Sequence, residues 1–235
     1  SDMGEFAEMI DEWHDPDLVR FSCGDEAHAE WLEWSEPQPR DGVAMDLGPC
    51  MKVLRDTLPK DTIVCNGAGN FSGWVHRYWR YASTPSQLAP TSGSMGYGLP
   101  AAVAAAIRFR DRQVLCVAGD GDFLMNGQEL ATAAQYGAEL LVIVVDNSSY
   151  GTIRMHQERD YPERLSATQL KSPDFAALAR AFGGWAETIE RTEDFAPALT
   201  RAQEQKGIRL LHVKTDVEVI SNQTTISALR EKARR

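Results

Sequence analysis

The sequence has no long hydrophobic run. Nowhere in its 235 residues is there anything near the roughly 18 consecutive apolar residues that a membrane-spanning helix needs. Its first residues also lack the basic segment followed by an apolar segment that marks a secretory signal. We therefore expect no membrane partner and a cytoplasmic location.

Cysteine is scarce and shows no motif. The four cysteines, at positions 23, 50, 65 and 116, form no CxxC pair. Cys65 and Cys116 lie inside short apolar stretches that we interpret as strands, where a buried free thiol is expected. Disulfides between the four are possible in principle, but reduced intracellular thiols are favoured.

The chain also lacks an excess of positive charge. Its net charge is −10, and residues 1–42 hold 13 acidic against two basic residues, whereas residues 43–235 hold 21 acidic against 22 basic. This balance argues against nucleic acid as a partner. Prolines and a glycine at 37–42 mark a boundary. We predict an acidic linker or leader segment at 1–42 and one domain at 43–235.

No internal repeat is present; instead, helix and strand patterns alternate. This pattern predicts an α/β fold with a doubly wound, mostly parallel sheet flanked by helices. Residues 150–170 are polar and are predicted to be irregular. The predicted strands are 62–65, 114–118, 186–189, 140–145 and 210–213. The predicted helices are 47–58, a helix with Pro100 in its first turn, 126–136, a helix with Ser172 as N-cap and Pro173 next, and 192–205.

One pair of motifs indicates a ligand site. Gly119-Asp120-Gly121 ends one predicted strand, and Asp146-Asn147 ends the next, with Asn147 placed 27 residues after Asp120. Parallel strands joined by a helical crossover bring such ends to the same sheet edge. A carboxylate, an amide oxygen and the backbone carbonyl of Ser149 are oxygen ligands of the kind that Mg²⁺ prefers. Glycines here let the backbone approach a diphosphate closely.

These motifs resemble a known family. Gly119-Asp120-Gly121 with Asp146-Asn147 is similar to the signature of thiamine-diphosphate enzymes, whose usual form is Gly-Asp-Gly followed by Asn-Asn. The segments 96–102 (GYGLPAA) and 123–130 (FLMNGQEL) resemble the acetolactate synthase branch, which includes acetohydroxyacid synthases and 2-oxoacid decarboxylases. The resemblance covers about residues 43–215 and corresponds to the C-terminal diphosphate-binding (PP) domain, with its thiamine-diphosphate-binding fold.

The resemblance implies a set of site residues. Asp120, Asn147 and the Ser149 carbonyl would ligate Mg²⁺, and Gly93 and Met95 would hold the aminopyrimidine ring of thiamine diphosphate. The helix expected near Asn126 would add a favourable dipole. The full set of implied cofactor-binding residues is Gly67, Ala68, Gly69, Asn70, Gly93, Ser94, Met95, Gly119, Asp120, Gly121, Asp122, Asn147, Ser149, Tyr150, Gly151 and Thr152.

The chain departs from the family pattern at two positions. Asp146 replaces the first asparagine of the usual pair, and we interpret it as a residue that caps the strand end. Asp122 stands where serine is frequent. Because its carboxylate would repel a diphosphate, we expect it to point away or to act through its backbone or a water molecule.

The resemblance also implies a missing part. The family's cofactor-activating glutamate belongs to a separate pyrimidine-binding domain, which no segment here resembles. Glu129 lies in the wrong place for that role. We therefore expect no catalytic residue in this chain, no activity alone, a pyrimidine-binding domain or subunit as partner, 2-oxoacid substrates, and a homo-oligomer.

Three alternatives stay open. The chain could be a natural stand-alone subunit of a two-subunit enzyme, or a non-catalytic assembly module that keeps the fold. A different phosphate-binding α/β protein is the third, although no Gly-x-x-x-x-Gly-Lys-Ser/Thr loop is present.

Overall fold

The structure, a computed structural model, describes residues 23–234. Contacts divide the chain after Trp34. The described part of the first unit is the helix α1 (Cys23–Trp34), and the second unit begins at Ser35. Residues 1–22 of the acidic leader lie outside the described residues, so its assignment as a linker stays a prediction.

The second unit alternates strands and helices along the chain. Its helices are α2 (Leu47–Thr57), α3 (Ser72–Tyr78), α4 (Gly98–Arg108), α5 (Asp120–Asn126), α6 (Leu130–Gln135), α7 (Gly151–Asp160), α8 (Phe175–Ala181), α9 (Thr192–Gln203) and α10 (Ile226–Ala233). A 3₁₀ turn at Gly127–Glu129 joins α5 to α6. Its strands are β1 (Ile63–Asn66), β2 (Gln87–Leu88), β3 (Val114–Gly119), β4 (Leu140–Asp146), β5 (Trp185–Ile189) and β6 (Ile208–Lys214).

The six strands form one parallel sheet in the order β2-β1-β3-β4-β6-β5. The chain moves outward from β1 to β2 and then returns to place β3 on the other side of β1. The carboxyl ends of β1 and β3 therefore flank the point where the strand order reverses, which is where open α/β sheets bind ligands. The predicted doubly wound fold is confirmed.

Helices cover both faces of the sheet. On one face α2, α3 and α9 pack on alternate strand residues such as Leu115, Leu141 and Leu211. On the other face α4 to α6 and α8 pack on the intervening residues, such as Cys116 and Val142. Every residue of β3 and β4 is buried, as expected for parallel strands covered on both sides.

The helix after β3 begins earlier than the sequence predicted. We expected it at 126–136, but α5 starts at Asp120, directly after the strand, and a 3₁₀ turn separates it from α6. Gly119 is its N-cap in an extended conformation. The Gly-Asp-Gly motif is therefore a strand-to-helix junction rather than a free loop, and its aspartate lies in the first turn, where negative charge is favourable.

Two further expectations were wrong. Residues 151–160 form helix α7 rather than irregular chain, because Glu158 is buried and accepts hydrogen bonds from Arg230 on α10, at 2.7 Å to its Nε. Ser172 is not a helix cap. Asp174 caps α8 by accepting a hydrogen bond from the Ala177 N–H at 2.8 Å, while Ser172 bonds elsewhere.

The segment before α2 is attached to the body of the second unit. Arg55 donates to the Ser35 carbonyl oxygen and to Glu36. Arg40 donates to the Asn222 carbonyl oxygen at 2.7 Å and lies over the ring of Trp74. Residues 35–40 therefore belong structurally with the domain that follows them.

No helix within the described residues is long and apolar enough to cross a membrane. Cys50, Cys65 and Cys116 are buried free thiols, and burial raises the pKa of the Cys65 thiol to about 12.

The start of α4 is packed against the end of β1 so closely that position 98 has no room for a side chain. A Cβ on Gly98 would lie 2.6 Å from the Gly67 backbone nitrogen and 2.9 Å from the Asn66 carbonyl carbon. This contact sets the distance between α4 and the loop that follows β1.

We predict that Gly98→Ala lowers the free energy of unfolding by about 1–3 kcal/mol, as overpacking does, although alanine is the better helix former by about 1 kcal/mol. Chemical denaturation measures it. Gly24→Ala in α1, where a Cβ would meet nothing within 4 Å, is the control and should cause no loss. Equal stability of Gly98→Ala and the wild type would contradict the prediction.

Candidate functional site

An open pocket lies at the carboxyl edge of the sheet, over the ends of β1, β3 and β4. Its polar wall comes from the loop after β1, the β3–α5 junction and the loop between β4 and α7. Its apolar wall comes from α2, α3 and the segment after β6. The residues that line it are Leu47, Ala68, Gly69, Asn70, Phe71, Trp74, Met95, Gly119, Asp120, Gly121, Asp122, Val145, Asn147, Ser149, Tyr150, Gly151, Thr152, Ile153, Thr215, Val219 and Ile220.

Asp120 is a buried carboxylate at the centre of this edge. One oxygen accepts a hydrogen bond from the Gly121 N–H at 2.7 Å, and the other accepts one from the Ser149 N–H at 3.2 Å. No basic side chain among the described residues offsets its charge. Burial raises the pKa of Asp120 to about 7, and the neighbouring Asp146 carboxylate adds to the increase, against the two backbone donors.

The loop after β4 brings Asn147 and Ser149 next to Asp120. Ser148 has a φ of 53°, in the left-handed region that residues other than glycine seldom adopt. The Ser149 hydroxyl donates to the Thr168 carbonyl oxygen at 2.9 Å, and the Tyr150 N–H donates to the same oxygen at 2.8 Å. The loop is therefore hydrogen-bonded to the segment at 168–170 on one side and to Asp120 on the other.

Asp146 lies one residue before this loop and faces away from the pocket lining. Its carboxylate accepts hydrogen bonds from His212, Ser172 and Ser148. Although burial opposes ionisation, these donors hold the pKa of Asp146 well below its usual range. The interpretation of Asp146 as a residue that caps the strand end agrees with these bonds.

Asp122 also uses its carboxylate within the protein. One oxygen accepts hydrogen bonds from the Gly96 N–H at 2.8 Å and the Ala68 N–H at 3.1 Å. The carboxylate fills the space beside Gly67, since a Cβ there would lie 2.0 Å from an Asp122 oxygen. Asp122 therefore lines the pocket and joins two loops, and burial raises its pKa.

Asn70 and Thr152 connect opposite walls of the pocket. The Thr152 hydroxyl donates to the Asn70 side-chain oxygen and accepts from the Asn70 N–H, both at 3.0 Å. The Asn70 amide also donates to the Ile220 carbonyl oxygen at 3.0 Å. These bonds join the loop after β1, the start of α7 and the segment after β6.

Two glycines of the motif lie under aromatic rings. A Cβ on Gly119 would lie 2.8 Å from the Phe71 ring, and one on Gly121 would lie 2.6 Å from the Tyr150 ring. Both rings line the pocket. The space beside these two glycines is therefore occupied by the Phe71 and Tyr150 rings.

Most of the residues predicted from the sequence lie together in this pocket. Gly67, Gly93 and Ser94 are the predicted cofactor-binding residues that do not line it. The remaining lining residues were not predicted, because they come from separate elements and carry no motif. These missed residues are Leu47, Phe71, Trp74, Val145, Ile153, Thr215, Val219 and Ile220.

The donor set suits a hard divalent cation. Asp120, the Asn147 amide and backbone oxygens of the same loop are all oxygen donors, as Mg²⁺ requires. Within the described residues, no group of three or more His, Cys, Asp or Glu side chains could hold a metal, so a metal here would depend on amide and backbone oxygens as well. A buried carboxylate with a raised pKa and no basic partner fits a cation site.

Comparison with known proteins gives the family. Residues 67–213 match the family model described as the thiamine pyrophosphate enzyme, C-terminal TPP binding domain. The chain is 35% identical over 186 residues to the acetolactate synthase isozyme 2 large subunit of Escherichia coli, covering 78% of this chain and 33% of that protein. It is 42% identical over 133 residues to the acetolactate synthase large subunit of Parasynechococcus marenigrum, covering 56% and 21%.

Solved structures agree. The thiamine diphosphate-dependent 4-hydroxybenzoylformate decarboxylase of Rhodococcus jostii superimposes with a TM-score of 0.71 at 28% identity, covering 77% of this chain and 34% of that one. A thiamin diphosphate-dependent enzyme of Mycobacterium smegmatis gives a TM-score of 0.65 at 26% identity, with the same coverage. The chain spans between about a fifth and a third of the length of these relatives. It therefore belongs to the family of thiamine pyrophosphate enzyme C-terminal TPP-binding domains and is similar in sequence to that part of acetolactate synthases.

Proposed function

We propose that this chain holds the Mg²⁺-diphosphate end of thiamine diphosphate in an enzyme that acts on 2-oxoacids by carboligation or decarboxylation. The observation that carries the proposal is the placement of the buried Asp120 carboxylate beside the Asn147–Ser149 loop at the switch point of the sheet. The names of the relatives, acetolactate synthases and a 4-hydroxybenzoylformate decarboxylase, support the substrate class.

Each part of the pocket has a proposed role. Asp120, the Asn147 side chain and the Ser149 carbonyl would ligate Mg²⁺. The backbone of the first turn of α5 would face the diphosphate, because the first N–H groups of a helix have no partner within it. Met95, which is partly exposed at the pocket rim, would contact the aminopyrimidine ring. The apolar wall of Leu47, Trp74 and Val219 would exclude water from one side of the pocket.

The carboxylate that activates the cofactor would come from elsewhere. When bound, thiamine diphosphate supplies an electron sink for the carbanion chemistry of 2-oxoacids. Glu129 does not fit the activating role, because its carboxylate accepts a hydrogen bond from Thr132 at 2.7 Å in the turn between α5 and α6. We infer that this chain is inactive alone and that a pyrimidine-binding domain or subunit completes the site.

An exposed apolar patch supports a partner at this edge. We name Met95, Tyr97, Leu124 and Met125 the rim patch; each is at least 36% exposed. The Asn126 amide donates to the Gly96 carbonyl oxygen at 2.9 Å, which joins the loop to the end of α5. Clustered apolar side chains beside a pocket are typical of interaction sites. We propose that the missing pyrimidine-binding domain or subunit covers this patch, and that in its absence two copies of this chain associate through it.

The first prediction concerns the metal. Asp120→Ala should weaken Mg²⁺-dependent binding of thiamine diphosphate by more than about 100-fold, since loss of the charged ligand should exceed the roughly 10–100-fold effect of outer-sphere changes. Titration calorimetry with and without Mg²⁺ measures this. Asp160→Ala, which removes an exposed carboxylate from the end of α7, should bind as the wild type does. Binding that ignores Mg²⁺, or no binding by the wild type, would favour a non-catalytic assembly module.

The second prediction concerns pH. A carboxyl group whose folded pKa is raised binds more protons in the folded than in the unfolded state, so its contribution to stability is lost as pH rises through the folded pKa. The metal-free chain should therefore lose stability between about pH 4 and pH 7 through Asp120. The slope from this group is at most about 1.4 kcal/mol per pH unit.

Asp120→Asn should reduce this slope, although Asp122 contributes in the same direction. Saturating Mg²⁺ and cofactor should reduce it too, because the bound cation favours the ionised carboxylate. Denaturant titrations across the pH range give the slopes. Identical slopes for wild type and Asp120→Asn would show that Asp120 does not titrate in this range.

The third prediction concerns assembly. The wild-type chain should self-associate as its concentration rises, and Leu124→Lys with Met125→Lys should shift it toward the monomer, because charge in a buried apolar contact is unfavourable. Sedimentation velocity measures the distribution. Tyr136→Lys places a single lysine at an exposed site just before β4, at the opposite edge of the sheet, and should not change the distribution. A strict monomer at high concentration would overturn the proposed homo-oligomer.

A further inference from the structure

The carboxylate of Asp146 is the meeting point of four hydrogen bonds. Its Oδ1 accepts from the Ser148 N–H at 2.9 Å, from the Ser148 hydroxyl at 3.2 Å and from the Ser172 hydroxyl at 2.7 Å. Its Oδ2 accepts from His212 Nε2 at 2.8 Å. We name Asp146, Ser172 and His212 the strand-end network. None of the three lines the pocket, but the Asp146 carboxylate lies next to Asp120 and is bonded to the loop that follows β4.

The network holds that loop in an unfavourable backbone shape. Ser148 is left-handed, with a φ of 53°, a conformation that persists only where the surroundings enforce it. Both hydrogen bonds from Ser148 to Asp146 form in this shape. The turn they close presents the Ser149 N–H to Asp120 and places Asn147 in the pocket lining.

The supports of Asp146 come from separate parts of the chain. His212 lies on β6, pairs with Val144 in the sheet and is 1% exposed. Its Nδ1 lies 3.5 Å from the Thr188 hydroxyl of β5. Because Nε2 faces a carboxylate, it carries the proton of this hydrogen bond.

Contacts between aromatic rings connect the strand-end network to α5. The Phe175 ring meets the His212 ring edge-on at 5.1 Å and the Phe123 ring edge-on at 5.4 Å. All three side chains are buried. Phe123 belongs to α5, the helix that begins at Asp120. The network is therefore connected by packed rings to α5, the helix that begins with Asp120, the residue to which the Ser149 N–H donates.

The hydrogen bonds at position 146 suit an aspartate better than the asparagine that is usual in the family. Four donors converge on two oxygens, and a carboxylate accepts at both of them. An asparagine would keep one acceptor oxygen for Ser148 and Ser172 but would turn an NH₂ donor toward His212 Nε2. Aspartate at 146 therefore matches histidine at 212.

We propose that Asp146, held by Ser172 and His212, is a positioning residue that sets the loop carrying Asn147 and Ser149 against Asp120. The relevance of this to the metal rests on the proposed function, in which Asn147 and Ser149 supply two of its ligands. Groups that orient metal ligands typically change affinity by about 10–100-fold when they are removed.

Backbone hydrogen exchange in the metal-free chain tests the positioning directly. Asp146→Ala should speed exchange of the Ser148 and Ser149 amides by roughly 10-fold or more relative to the rest of the sheet, because it removes all four bonds. Ser172→Ala should have a smaller effect of the same sign. Asp146→Asn, which keeps an acceptor for Ser148, should restore most of the protection.

Arg209→Met is the matched control. Arg209 is also a buried polar residue of β6, but it lies on the opposite face of the sheet and makes no bond with the loop. It should change global stability without selective loosening of residues 148 and 149. A purely structural role for Asp146 would loosen the whole sheet in the same way in both variants.

Calorimetry with Mg²⁺ and thiamine diphosphate then separates the two ideas. A 10–100-fold weaker affinity in Asp146→Ala, with recovery in Asp146→Asn, supports the proposal. If amide exchange of residues 148 and 149 is unchanged in both Asp146→Ala and Ser172→Ala, the proposal is overturned, whatever the binding result. If these variants do loosen the loop but the wild-type chain binds no cofactor, the positioning role stands and the proposed function is overturned. Ser172 lies outside any helix or strand, so Ser172→Ala decides the question if Asp146→Ala does not fold.

Discussion

The structure of the site depends on the cost of burying the Asp120 carboxylate. A charge removed from water needs hydrogen-bond donors or a counter-charge, and Asp120 has two backbone donors and no basic partner among the described residues. The shortfall shows in its raised pKa. One of the two donors, the Ser149 N–H, reaches Asp120 from a turn in which Ser148 has a left-handed backbone. The Asp120 carboxylate therefore connects the loop after β4 to the helix after β3.

Three carboxylates near the pocket have different jobs because their surroundings differ. Asp122 accepts two backbone N–H groups and joins the loops at Ala68 and Gly96. Asp146 has enough donors to stay ionised. Asp120 lines the pocket with a raised pKa and no basic partner among the described residues. The two departures from the family pattern, Asp122 and Asp146, are thus both bonded to loops that surround Asp120.

The sequence predicted what depends on local pattern and missed what depends on distant contacts. Strand ends at Asp120 and Asn147 could be found because apolar runs and glycines define them. Helix α7 could not, because its buried residue is Glu158, whose partner Arg230 lies 72 residues away. Local rules predict that Ser172 caps a helix, but its hydroxyl donates to the Asp146 carboxylate, 26 residues earlier in the chain. The apolar wall of the pocket shows no sequence signal for the same reason.

The same geometry explains why the site is open on one side. The sheet, α5 and the loop after β4 enclose the polar wall, and α2, α3 and the segment after β6 enclose the apolar wall. The rim patch beside Gly96 is the side that these elements leave uncovered. Under the proposed function, Asp120 and the loop after β4 would hold the diphosphate of the cofactor at the carboxyl ends of β3 and β4. The groups that complete the site would then approach across the rim patch.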